Sequence, residues 1–136
     1  MLQQELDILV RAVVIVQRDV DASEVPAQIH LELVGKDGCR DAYHVALASG
    51  EFWAGTTGLS GEDESVSIYE VADGVQDLLA EVLRVPWPLC PWHQNVLRLG
   101  MLRADVEGQR PGREFPYWLC PASGGHVVSA VGSLHP

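Results

Sequence analysis

Prolines at positions 86, 88 and 91 divide this chain. A proline ring removes a backbone N–H and clashes with the preceding helical turn, so no regular helix crosses this stretch. Before it, hydrophobic periodicity runs over long segments. After it, proline, cysteine, tryptophan, glycine and arginine become common and apolar runs are short. The pattern predicts an α+β protein with an N-terminal helix, a small antiparallel sheet, a second helix and a short-stranded C-terminal lobe. An α+β body falls at residues 1–85 and a Cys/His/Trp-rich, zinc-knuckle-like lobe at 86–136.

Leu2, Leu6, Leu9, Val13, Val16 and Val20 step by four and three, which predicts one amphipathic helix over residues 2–20. Its Val13–Val16 run is β-branched and pulls towards strand. Ile8, Val10 and Val14 widen the apolar face, as in a helix central to the fold or covered by another subunit. Asp7 and Arg11 stand four apart, at the spacing of a surface pair. Asp19 to Pro26 reads as a polar connection. Residues 27–34 and 40–48 alternate as a β-hairpin across Gly35-Lys36-Asp37-Gly38. Matching their apolar faces sets Leu31 opposite Tyr43 and Ile29 opposite Val45, with His30 opposite His44 on the other face. A third strand is expected over 51–56, an exposed loop over 55–64 and a fourth strand over 65–71. A second helix is expected over 74–84, capped by Asp73 with Gln76 three residues on. Short strands follow near 96–106, 115–120 and 126–131.

Charge narrows the class of partner. The net charge is −10, with sixteen acids against five bases in residues 1–85 and three against four in 86–136. Such a body repels nucleic acid and anionic membrane and suits a basic protein partner. The longest apolar run, Ala12 to Val16, is too short to span a bilayer. The start, Met-Leu-Gln-Gln-Glu, lacks a basic leader, which points to a cytoplasmic protein. An odd cysteine count (Cys39, Cys90, Cys120) fits reduced thiols or metal ligands better than disulfides.

The chemistry concentrates in Cys90-Pro91-Trp92-His93 and Cys120-Pro121-Ala122-Ser123-Gly124-Gly125-His126. Each is a Cys-Pro corner with a histidine soon after. The first has the Cys-x-x-His spacing with which one tight turn offers sulfur and nitrogen to a single ion. Zinc accepts such mixed ligands in a tetrahedron, and two thiolates cancel its charge. A small segment with few aliphatic residues gains most from such a staple. The expected structural zinc ligands are Cys90, His93, Cys120 and His126. Ser123 stands where a second knuckle would repeat its ligand.

Trp87-Pro88-x-Cys90-Pro91-x-His93, Trp118-x-Cys120-Pro121 and Val131-Gly132-Ser133-Leu134 resemble a group of small bacterial proteins, mainly actinobacterial. Their pattern is Trp-Pro-Pro-Cys-Pro-x-His, then Trp-x-Cys-Pro, then a closing Ile-Gly-Ser-Leu. Ala72-Asp73-Gly74-Val75-Gln76-Asp77 is similar to that group's helix start. The resemblance covers about half of the chain and carries no assigned activity. It departs at Gln94-Asn95-Val96, where the group often has further histidines.

A second candidate cluster is His30, Glu32 and His44 on one hairpin face, which alternation alone also produces. No nucleophile elbow, phosphate loop or dinucleotide fingerprint occurs. The four tryptophans read as packing anchors. The leading expectation is a non-catalytic protein-binding or adaptor module, with a homodimer as one form of it. The rivals are a metal-dependent hydrolase or oxidoreductase and an acidic neutraliser of a basic partner.

Overall fold

A computed structural model of the chain describes residues 3–23, 25, 29–35, 43–53, 58–103 and 114–135. Two helices and two small antiparallel sheets make an α+β architecture. The order is α1 (Gln3–Ala22), β1 (Leu31–Gly35), β2 (Tyr43–Leu47), α2 (Glu64–Glu81), β3 (Arg98–Arg103), β4 (Glu114–Cys120), a 3₁₀ turn (Ala122–Gly124) and β5 (His126–Ala130). Strands β1 and β2 form one sheet, and β3-β4-β5 form the other in that order. No helix among the described residues is long and apolar enough to cross a membrane.

The helix α1 runs two residues further than its apolar steps suggest. Asp19 is not in a connection. It lies inside the helix, fully buried beside Val16 and Val20. The β-branched run stays helical because its neighbours Leu9, Ala12, Val13 and Val16 are packed against the rest of the core, and tertiary burial outweighs weak local propensity. Arg11 pairs not with Asp7 but with Glu64 at 3.2 Å. Asp7 instead accepts from Gln3 Nε2 at 2.9 Å.

The hairpin forms, but its register differs from the sequence expectation. Leu31 faces Leu47, Leu33 faces Val45 and Gly35 faces Tyr43, so His44 lies opposite Val34 rather than His30. The observed pairing is slid by four residues along β2, an even shift that keeps the same faces together, so alternation alone does not choose between the two registers. His44, Val45 and Ala46 are all buried. Val45 packs on α2, and the His44 ring stacks on Phe52 at 5.0 Å. The Gln17 amide holds the far edge of β1. Its Nε2 donates to the Ile29 carbonyl and its Oε1 accepts from Leu31 N, each at 2.8 Å.

The expected fourth strand at 65–71 is helix, and the second helix begins at Glu64, nine residues before Asp73. Asp63 is the N-cap, its side chain accepting from Val66 N at 3.0 Å. Ile68, Val71, Ala72, Val75, Leu78 and Leu79 then form one buried face, a 3.6-residue period that the short alternation in 65–71 masks. Asp73 is an exposed mid-helix residue. The helix stops at Glu81, ahead of Pro86 as expected. Residues 51–53 are not strand, and the remainder of that expected strand lies outside the described residues. The expected loop before α2 is not wholly exposed. Leu59 is buried and bridges Tyr43.

That loop closes on α1 through Gly61. Its φ is +70°, and a methyl group there would lie 2.6 Å from the Glu5 carbonyl oxygen. Gly61→Ala combines a left-handed backbone with a steric clash and is expected to cost roughly 1–3 kcal/mol in chemical denaturation.

One cluster of buried residues joins both helices and both sheets. It includes Leu9 and Val16 of α1, Val45 of β2, Val75 and Leu79 of α2, and Trp118 and Cys120 of β4. Trp87 and Trp118 meet edge to face with centroids 5.3 Å apart. They are the packing anchors expected of tryptophan, whereas Trp53 and Trp92 are exposed.

Candidate metal centre

Two tight corners carry the site, and each is made by local hydrogen bonding. In the first, Leu89 bridges Val96. Cys90 N donates to the Asn95 carbonyl at 2.8 Å, and Gln94 N donates to the Cys90 carbonyl at 2.9 Å. Gln94 takes a φ of +58°, which turns the chain back. The corner is held to α2 by Gln76, whose Nε2 donates to the Trp87 and Leu97 carbonyls at 3.2 and 2.9 Å.

In the second corner, Pro121, the 3₁₀ turn and Gly125 reverse the chain between β4 and β5. Cys120 and His126 are thereby cross-strand partners. Directly opposed residues hold their Cβ atoms about 4.5–5.5 Å apart. His126 therefore reaches the same point as Cys120 although five residues separate them in sequence. In β4, Pro116, Trp118 and Cys120 all face the core.

The corners meet. Cys90 Sγ lies 3.5 Å from His93 Nδ1 and 3.7 Å from His126 Nε2. Cys120 Sγ lies 3.5 Å from His93 Nδ1, and the two ring nitrogens are 3.3 Å apart. All four donor atoms fall within 4.8 Å of one another. Zinc bonds of about 2.0 Å to nitrogen and 2.3 Å to sulfur at the tetrahedral angle separate neighbouring donors by about 3.3–3.8 Å. Each of the four quoted separations falls in that range, so the cluster can hold a metal ion.

Burial is graded across the cluster. Both sulfurs belong to buried residues, His126 is half-buried and His93 is exposed. Burial pushes the Cys90 thiol up, but the N–H groups of Trp92 and His93 and the Cys120 thiol outweigh this and leave it below the ordinary cysteine value. Those donors favour the thiolate, the form that binds metal. The Trp92 ring sits 5.7 Å from His126 and is 69% exposed, forming an outer wall beside the imidazoles.

The four expected ligands are thus brought together, and the other candidate set is not. His30 and Glu32 are exposed, while His44 is buried against Phe52. Among the described residues, Cys90, His93, Cys120 and His126 form the cluster able to hold an ion. Cys39 lies outside the described residues.

Sequence reasoning missed a second polar centre. Asp19 Oδ2 accepts from Trp118 Nε1 and from Gly132 N, both at 2.7 Å, and Oδ1 accepts from Leu134 N at 2.9 Å. The available signal was an acid placed inside the apolar stripe of α1, next to Val16 and Val20 in the helical repeat. Comparison of the chain with known protein families, with curated proteins and with solved structures returns no match.

Proposed function

We propose that the chain is a non-catalytic protein-binding module whose C-terminal strands are fastened by one structural zinc ion. The supporting observation is the set of separations among Cys90, His93, Cys120 and His126, which fit a tetrahedron with two sulfur and two nitrogen corners. Two thiolates and two neutral imidazoles leave Zn²⁺ with no net charge. A neutral ion costs little to bury beside Trp118. All four positions are filled from the chain, the arrangement of structural sites, whereas catalytic zinc keeps one for water or substrate. A site of this kind organises a surface instead of transforming a molecule. The acidic balance and the exposed apolar side of α1 make another protein the natural partner, a second copy included.

Metal analysis of protein purified without added metal tests this reading. One zinc per chain is expected, retained through dialysis. Cobalt substituted for it should show the intense visible bands of a tetrahedral, thiolate-bound ion. Absence of bound metal under reducing conditions would sink the proposal. An ion that carries an exchangeable water would instead support a metal-dependent hydrolase or oxidoreductase.

A further inference from the structure

The outer side of α1 has a pattern of its own. Gln3, Asp7, Val10, Val14, Gln17 and Asp21 are spaced four, three, four, three and four apart. That is the four-three spacing of a two-helix coiled-coil seam, apolar here at its two central positions. Gln17 reaches across to β1, but the centre of the seam is left uncovered, with Val10 48% and Val14 52% exposed. Asp7, Arg18 and Asp21 are exposed as well.

On reversal the seam is complementary to itself. Two valines form its centre. Outside them, Gln3 Nε2 donates to Asp7 at 2.9 Å and Gln17 Nε2 donates to Asp21 at 2.8 Å. Reversing one copy against another sets Val10 opposite Val14. It also brings Asp7 to the neighbourhood of Arg18, and Gln3 to Asp21. Each acid of one copy then meets a donor of the other. A parallel arrangement would set Asp7 against Asp7 and Asp21 against Asp21. On a chain of net charge −10, this is a surface where acids and donors alternate, so a second copy can approach here with less repulsion than elsewhere.

The geometry points to an isologous dimer in which two α1 helices pack antiparallel, with a two-fold axis between Val10 and Val14. This rests on the protein-binding reading above and names the partner as a second copy of the chain. Only two apolar residues per copy fill the centre, so the association is weak and dissociates on dilution.

Sedimentation equilibrium of the zinc-loaded chain from about 1 µM to about 1 mM covers the relevant range of affinities. The weight-average mass is expected to rise towards that of two chains. Val14→Asp places two unpaired carboxylates in the centre and should weaken the dimer at least about thirtyfold. Asp7→Arg creates two like-charge contacts with Arg18 and should weaken it about tenfold. The double variant Asp7→Arg/Arg18→Asp restores opposite charges and should recover most of that loss. Circular dichroism checks that each variant stays folded, which the exposure of all three positions allows. A monomer at every concentration overturns the inference, as does a dimer indifferent to these substitutions. Neither result touches the metal ligands, so a zinc-bearing monomer that binds some other protein would leave the earlier proposal standing.

Discussion

With the proposed zinc in place, stripping it, or replacing Cys90 with serine, should lower stability by roughly 4 kcal/mol. The figure follows from linkage. A ligand held only by the folded state stabilises it by about 4.1 kcal/mol when free ligand exceeds the dissociation constant a thousandfold. For a domain of this size that corresponds to roughly 12–20 °C in Tm. The loss should be uneven. Cys90 and His93 lie on one corner, Cys120 and His126 on the other, and the ion would be the shortest link between them. The helical pair α1 and α2 has its own buried faces and should persist longest. Hydrogen exchange should therefore accelerate first near 88–97 and 118–128. Trp92, exposed and next to His126, should report the release by fluorescence. Cys120→Ser should behave like Cys90→Ser, because a hydroxyl is a poor zinc ligand. His93→Ala should lose less, since its ring is exposed and water can take its place. If chelation leaves Tm and exchange unchanged, zinc does not organise these strands.

The Cys/His cluster was legible in the sequence because its spacing is local. Cys90 and His93 share one turn, and any tight turn at that spacing brings sulfur and nitrogen together. The distance from Cys120 to His126 seemed long only as a count of residues. Strand pairing sets the two directly opposite, and the Gly-Gly connection makes that pairing short. The hairpin and the terminal strands were legible for the same reason, being adjacent segments joined by turn residues. Long-range packing was not legible. Residues 65–71 alternate like a strand, yet the Asp63 cap and the buried series to Leu79 make them helix. Alternation could not set the β1-β2 register, because a four-residue slide along β2 keeps the same faces together. Asp19 was hidden by the usual rule that an aspartate after an apolar run begins a loop. Its donors lie at Trp118, Gly132 and Leu134, and no pattern within α1 indicates them.

Asp19→Ala should be the most damaging single substitution away from the metal ligands, at about 3–5 kcal/mol. Its carboxylate accepts all three donors inside the core, at 2.7, 2.7 and 2.9 Å. Alanine would orphan each of them, and a buried unsatisfied donor costs about 1–3 kcal/mol. Relaxation of the 132–134 segment recovers part of that sum. The segment has little room to move, because Gly132 holds a φ of +98° against Ile15. Asp19→Asn should cost about half as much, since one oxygen survives while the new amide N–H group confronts a donor. Both variants should still bind one zinc, because Asp19 belongs to no metal ligand set. This separates the two fastenings of the C-terminal strands. Acid titration gives a further signature. Burial pushes the Asp19 carboxyl above its ordinary value, against the pull of Gly132, Trp118, Leu134 and Arg18. The folded chain thus keeps this proton where the unfolded chain has released it. Between the two values the carboxyl's contribution to stability falls as pH rises. The asparagine variant lacks that slope. With metal removed from both proteins, the stability gap between them should be widest on the acid side of the window and narrow towards neutrality. A gap that instead grows as pH rises would mean that the three donors outweigh burial and that Asp19 titrates below its ordinary value. An Asp19→Ala chain within about 1 kcal/mol of the native one would show that the 132–134 segment finds water for its N–H groups and that this carboxylate is not what ties β5 to α1.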